Sequence, residues 1–194
     1  MQFYYRMKKL TQFLDEMNIK IGIYTLLFAM VSCSKKDSGY FNPALLKIDT
    51  SRVSIIKYDS TNLDCKRVFK TGKNAYLNNE DLEKIEFAID KIIEKQNIVE
   101  ILRYKEFSKR YPEKKYKKED FELKKQNYIR RYLVIENSKG EKEIYVALAC
   151  DFIAKDFDLK KTLKQGHGGG SCLFSFKLNL ETNKYYDVYF NAEA

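Results

Sequence analysis

The chain has 194 residues, 44% hydrophobic and 32% charged, with 2 prolines, 8 glycines and no tryptophan. That composition excludes a collagen-like or proline-rich disordered chain, and it excludes a polytopic membrane protein because a single stretch is apolar enough to enter a bilayer. The net charge of +9 is uneven: between Arg103 and Arg131 twelve Lys or Arg stand against five acids.

Taken in chain order, the first feature is Ile21 to Ser32, a 12-residue uncharged run between Lys20 and Cys33-Ser34-Lys35-Lys36-Asp37. A spanning helix needs about 20 apolar residues and a signal-peptide core roughly 7–15, so the run reads as a leader. A start at Met17 gives that leader a basic residue, Lys20, whereas a start at Met1 or Met7 places Asp15 and Glu16 in a region normally poor in acids. Residues 1–16 are therefore expected to be a start-site artefact and residues 17–32 a signal peptide. Met30-Val31-Ser32-Cys33 resembles a bacterial lipobox, which designates Cys33 for lipidation and makes it the first residue after cleavage. Acyl chains then supply the anchoring, at about 0.8 kcal/mol per buried CH₂. A plain secreted leader and an uncleaved anchor are the alternatives. Residues 33–50, polar and carrying Gly39 and Pro43, read as a tether, and residues 51–194 as a single domain.

Within the domain, Val53 and Ile55 with Lys57-Tyr58 suit a short strand, and Arg67 to Lys70 another. Asn79 is placed to cap a helix whose first turn carries Glu80, Asp81 and Glu83, favourable at the positive end of the dipole. Leu82, Ile85, Ile89, Ile92 and Ile93 recur at helical spacing and mark one apolar face to about Asn97.

From Tyr128 the period changes to two, in four runs. Ile129, Leu133 and Ile135 share a face in the first; Ile144, Val146, Leu148, Cys150 and Phe152 in the second; Cys172, Phe174, Phe176, Leu178 and Leu180 in the third; Tyr186, Val188 and Phe190 in the fourth. Turn residues join them in pairs, Asn137-Ser138-Lys139-Gly140 and Glu181-Thr182-Asn183-Lys184. The expected fold is α+β: one long amphipathic helix packed on an antiparallel sheet of four or more strands, cystatin-like by analogy, behind an N-terminal signal and lipid anchor.

The basic segment, residues 103–131, interleaves Tyr104, Phe107, Tyr111, Tyr116 and Phe121 with its lysines, including Lys114, Lys115, Lys117 and Lys118. A nucleic-acid groove has this composition, yet the acids mixed in and the export signal favour a solvated segment or contact with a polyanion or acidic headgroup. Cys150 and Cys172 fall on the apolar parity of neighbouring runs in a chain expected to leave the reducing cytoplasm. They suit either a disulfide, with Cys65 as the odd thiol, or two thiols packed as small hydrophobes.

The tail Gly169-Gly170-Ser171-Cys172-Leu173-Phe174, then Asn179-Leu180-Glu181-Thr182-Asn183-Lys184, then Asn191-Ala192-Glu193-Ala194, resembles a family of small lipoproteins of the Bacteroidetes type. Tyr128-Ile129-Arg130-Arg131-Tyr132 and Ser138 to Lys142 are similar to that family's strand and hairpin, with Arg131, Gly168 and Ala192 departing from its usual residues. The resemblance covers the leader and most of residues 80–194. The family has no assigned activity, so the resemblance implies location and fold rather than chemistry.

Catalytic patterns fail one by one. His167-Gly168-Gly169-Gly170 spells an oxyanion-hole string, but the chain has one histidine and no Gly-x-Ser-x-Gly elbow. A Cys172–His167 dyad would place its nucleophile on an apolar strand face. Asp151, Asp156, Asp158 and His167 lack metal-site spacing, and there is no phosphate loop or dinucleotide fingerprint, so no metal or cofactor is expected. Glu83, Glu86 and Asp90 read as a solvated helix surface rather than a glycosidase pair. The resulting expectation is a lipid-anchored, non-enzymatic binding or scaffold module of the cell envelope. It is placed at the outer membrane, periplasmic or surface-exposed, and its partner is an envelope protein or a polyanion met by the lysines or by Tyr145, Tyr185 and Tyr189. The alternative is a small extracytoplasmic enzyme with a carboxylate or thiol site.

Overall fold

Asn62 and Asn78 each end an extended stretch and accept backbone N–H bonds that start a helix, and from those two caps much of the architecture follows. The computed structural model describes Asp49, residues 51–154 and residues 168–192. The leader, Cys33, the rest of the tether, Asp156, Asp158 and His167 lie outside the described residues.

The elements are β1 (Val53–Ile56), α1 (Leu63–Val68), β2 (Lys73–Asn74), α2 (Asn79–Arg110), β3 (Tyr128–Glu136), β4 (Lys142–Cys150), α3 (Asp151–Ala154), β5 (Leu173–Asn179) and β6 (Lys184–Phe190). They form one six-stranded mixed sheet in the order β1-β3-β4-β5-β6, with β2 also paired to β3. The four later strands make an antiparallel meander. The expected purely antiparallel sheet is corrected at its edge, where β1 runs parallel to β3, Val53 opposite Arg130 and Ile56 opposite Leu133. A parallel pair needs a crossover, and α2 carries the chain back.

The stretch Arg67 to Lys70, expected as a strand, is the end of helix α1 and its C-cap. Asn62 Oδ1 accepts from the N–H groups of Asp64 (2.8 Å) and Cys65 (3.2 Å), and this cap overrides the short alternation. Gly72 is needed by close approach, since a Cβ there would come within 2.8 Å of the Ile135 side chain.

Helix α2 is 32 residues long and starts one residue earlier than expected, with Asn78 as the cap. Asp81 N–H donates to Asn78 Oδ1 at 2.8 Å and Asn78 N–H to Asp81 Oδ2 at 3.0 Å, a reciprocal capping box. Its inner face, Leu82, Ile85, Ala88, Ile89, Ile92 and Ile93, packs on the sheet over Tyr132, Val146, Phe176 and their neighbours. The helix continues past the expected end near Asn97 to Arg110. No helix among the described residues is long and apolar enough to cross a membrane.

Both faces of β3 are buried. Tyr128, Tyr132 and Val134 face α2, so the expected core face of this strand, Ile129, Leu133 and Ile135, is the opposite one. There Tyr58, Cys65 and Phe69 cover Leu133 and Ile135, and Ala154 covers the Ala149 and Leu173 region beside Ile129. Phe152 leaves the β4 face altogether, standing 66% exposed on α3.

Strand β6 changes parity midway. Tyr185 lies opposite Leu178 and Tyr186 opposite Lys177, then a register shift places Tyr189 opposite Ser175 and Phe190 opposite Phe174. Asp187 supplies the kink at φ +51°. Tyr186 and Phe190 therefore point to opposite faces, and the expected common face of the fourth run does not exist.

Candidate functional site

The last turns of α2 and the return loop to β3 form a cationic projection. Phe107 is its hub: its ring meets Tyr111, Tyr116 and Phe121 edge-to-face at 6.1, 6.0 and 5.9 Å, and Tyr104 and Tyr116 close on Phe121 at 5.8 and 5.7 Å. The Arg103 guanidinium lies 5.7 Å from the Phe107 centroid. Two short 3₁₀ turns, Pro112–Lys114 and Lys118–Asp120, shape the loop, and Asn97 fastens its return by accepting from Leu123 N–H at 2.8 Å and donating to Leu123 O at 3.1 Å. The interleaved aromatics thus pack on one another as a small cluster of their own, with Tyr111 still exposed at its rim.

Ion pairing divides the segment. Arg103 binds Glu100 at 2.7 Å, Lys125 binds Asp90 at 2.8 Å, and Arg130 binds Glu86. Burial works against the Lys125 ammonium, but the hydrogen bonds it donates to Asp90 and Glu86 hold it above the ordinary lysine value. Arg131 is 2% exposed on the sheet face away from α2, where burial pulls its guanidinium below the ordinary range. By contrast, Lys114, Lys115, Lys117 and Lys118 are exposed and make no ion pair among the described residues, and Lys115 sits at φ +49° on the turn. The basic charge available to a partner is therefore narrower than residues 103–131, centred on these four lysines with Lys105 and Lys109 beside them and with exposed Glu113, Glu119 and Asp120 interleaved.

The structure bonds Cys150 to Cys172 with 5.0 Å between Cα atoms, and leaves Cys65 as a buried free thiol. Cys172 is therefore not a nucleophile in this state. The three tyrosines do not share a face: Tyr185 lies on the helix side, where Lys95 Nζ donates to its hydroxyl at 2.5 Å, while Tyr189 is 57% exposed on the other side and Tyr145 is partly buried there. No group of three potential metal ligands converges among the described residues. Glu83 is exposed, Asp90 pairs with Lys125 at the surface, and Glu86 is occupied by Arg130 and Lys125.

One polar cluster is missing from the sequence reading. Glu100, only 3% exposed, accepts from Arg103 at 2.7 Å, from Gln96 at 2.9 Å and from the Ser171 hydroxyl. Tyr128 donates to the Ser171 carbonyl at 2.9 Å, and burial, with the Glu100 charge, raises its hydroxyl well above the usual phenol value. The available signal was a glutamate on the inward face of α2; its partner Ser171 is 71 residues away. With three donors enclosing it, this carboxylate ties the end of α2 to the disulfide-linked start of β5.

Comparison with protein-family models, with curated proteins and with solved structures finds no match to this chain.

Proposed function

We propose that the protein is a non-enzymatic, lipid-anchored binding module of the cell envelope that presents its cationic loop to an anionic partner. Membership of the Bacteroidetes-type lipoprotein family, lipidation at Cys33 and an outer-membrane address belong to this reading and rest on the leader, the lipobox-like Met30-Val31-Ser32-Cys33 and the C-terminal motifs. The observation that carries the binding role is the set of Lys114, Lys115, Lys117 and Lys118, all exposed, on a loop stiffened by the Phe107 cluster. Ordering the lysines beforehand lowers the entropy lost on binding. The layer of α2 over the β3–β6 meander supports a cystatin-like arrangement by analogy for that part, with β1 and β2 at its edge.

Anionic headgroups or an acidic envelope protein have the chemistry that such a loop attracts, at about 1 kcal/mol per basic residue near an acidic membrane surface. What favours binding over a thiol enzyme is that Cys150 and Cys172 hold each other while Cys65 is buried. Mass spectrometry of the membrane fraction tests the anchor: the reading expects diacylglycerol on Cys33 and loss of residues 1–32. A retained leader or an unmodified Cys33 removes that half of the proposal. Hydrolase and glycosidase screens on the purified chain are expected to be blank.

A further inference from the structure

Helix α2 has an outward face that neither the sheet nor the return loop covers. Ile85, Ile89, Ile92 and Ile93 are buried against the sheet, while Phe107, Asn97 and Asp90 hold the return loop. Ile98 stands nine positions after Ile89, two and a half helical turns, and so lies on the opposite side. It is 63% exposed. Leu102, 61% exposed, follows it by one turn, and Val99, 46% exposed, adjoins both. Single aliphatic side chains in water are ordinary, but three neighbours on one helix face form a patch.

Charge is distributed unevenly along that face. Before the patch, Lys91 pairs with Glu94 at 2.8 Å and Lys95 donates to the Tyr185 hydroxyl; beside it, Glu106 pairs with Arg110 at 3.8 Å. After the patch, Lys105 and Lys109 stand three and seven positions beyond Leu102 on the same side of the helix, exposed and without an ion pair among the described residues. The helix then runs into the loop of Lys114, Lys115, Lys117 and Lys118. From Lys105 to Asp120 these six exposed lysines outnumber the three exposed acids Glu113, Glu119 and Asp120. Aliphatic side chains are thus set directly beside a surplus of cations.

We infer that this face of α2 lies on an anionic bilayer, with Ile98, Val99 and Leu102 entering the boundary between headgroups and acyl chains, and Lys105, Lys109 and the loop lysines meeting the headgroups. It rests on the cationic-loop reading and specifies the partner as lipid rather than acidic protein. Interfacial helices join an aliphatic side to flanking lysines in this way, because a bilayer offers anionic groups immediately above hydrocarbon. An acidic protein would answer the lysines and leave the aliphatic patch in water. Three aliphatic side chains also fall far short of the roughly 800 Å² a side that stable pairing with a second copy takes. The apolar contact adds to the attraction of the lysines and is weak without it, so high salt still releases the face from the membrane.

The chain has no tryptophan, so a single one serves as reporter. Leu102→Trp and, as a control on the other side of the sheet, Tyr189→Trp both fall at exposed positions. Each is made in the full chain and incorporated from detergent into vesicles of equal parts phosphatidylglycerol and phosphatidylcholine, with bromine on the upper part of the acyl chains. At low salt the Leu102→Trp emission is expected to shift to the blue and to be quenched by bromine, while Tyr189→Trp does neither. Adding Ile98→Ser should lower the ratio of docked to undocked chain about tenfold, since it removes most of an exposed isoleucine side chain from the contact. Vesicles of phosphatidylcholine alone should abolish the quenching. Absence of quenching at residue 102 overturns the inference, as does equal quenching at residues 102 and 189 or an unchanged docked fraction with Ile98→Ser. Transfer of the face from the vesicles to soluble poly-L-glutamate of equal charge would point to an acidic protein and overturn it as well. The cationic-loop reading fails separately: quenching at residue 102 that is undiminished when Lys114, Lys115, Lys117 and Lys118 are all glutamine would support the aliphatic contact and remove the role of the lysines.

Discussion

Replacing Phe107 by alanine removes the hub of the aromatic cluster and should release the lysine loop without unfolding the domain. Phe107 makes three edge-to-face contacts, with Tyr111, Tyr116 and Phe121, and carries the Arg103 guanidinium on its ring. Aromatic pairs contribute about 0.5–1.5 kcal/mol each beyond area burial. Because Phe107 is only partly buried and its neighbours can re-pack, the lower part of the resulting range applies, and we expect a loss of about 2 kcal/mol confined to this loop. Two kcal/mol is about a thirty-fold change in the opening equilibrium. Hydrogen exchange reads that directly at the amides of Lys114, Asp120 and Phe121, which donate to Tyr111 O, Lys117 O and Lys118 O at 3.1 Å each. Their exchange should accelerate about thirty-fold, while amides in β4 and β5 keep their protection. Unchanged exchange at those three amides would refute the role given to the cluster. Uniform acceleration across the sheet would show that the loop is not a separate unit.

Three further outcomes test the fold. Asn78→Ala removes the capping box of α2 and should lower stability by about 1 kcal/mol, read as a lower urea midpoint at constant slope; no shift would mean that the cap is redundant. Thiol counting on the denatured, non-reduced chain from Ser34 onward should find one thiol, Cys65. Reduction of the Cys150–Cys172 bond, which closes a 22-residue separation, should cost about 3 kcal/mol, and three thiols before reduction would contradict the bond. Burial pushes the Tyr132 hydroxyl up to about 12. Its contribution is fully present below the unfolded value of about 10 and is lost as pH rises from there through the folded value. The ultraviolet phenolate signal of Tyr132 should therefore lag behind that of exposed tyrosines and appear with alkaline unfolding, whereas its full titration at pH 10 in a folded chain would contradict the burial.

The helix-on-sheet layer was legible because α2 and the strands β4 and β5 carry clean periods of their own. Ile85, Ile89 and Ile93 can point only one way in a helix, as can Ile144, Val146 and Leu148 in a strand. Strand β3 was ambiguous for the opposite reason. With apolar residues on both parities, Tyr132 and Val134 against Leu133 and Ile135, alternation could not say which face met the helix. The early end given to α2 traces to Glu100, a charge at a core position whose donors Ser171 and Arg103 are supplied by the fold. Strand β6 was misread because a positive φ at Asp187 leaves no mark in the hydrophobic pattern, although its ion pair with Lys177 at 3.0 Å helps hold the kink. The basic segment was visible as composition. Which lysines remain unpaired depends on Glu86 and Asp90, which lie on the other side of the loop in sequence.

The four exposed lysines carry the binding role most directly. Flotation of the chain from Ser34 onward with vesicles containing about one-third phosphatidylglycerol would be compared with the variant in which Lys114, Lys115, Lys117 and Lys118 are all glutamine. At about 1 kcal/mol per lysine, the substitution should weaken binding by several hundred-fold at low salt. Raising the salt to about 0.5 M should strip the parent chain from the vesicles, since exposed charges are screened over a few ångströms there. Equal flotation of the two proteins at low salt would contradict the central claim.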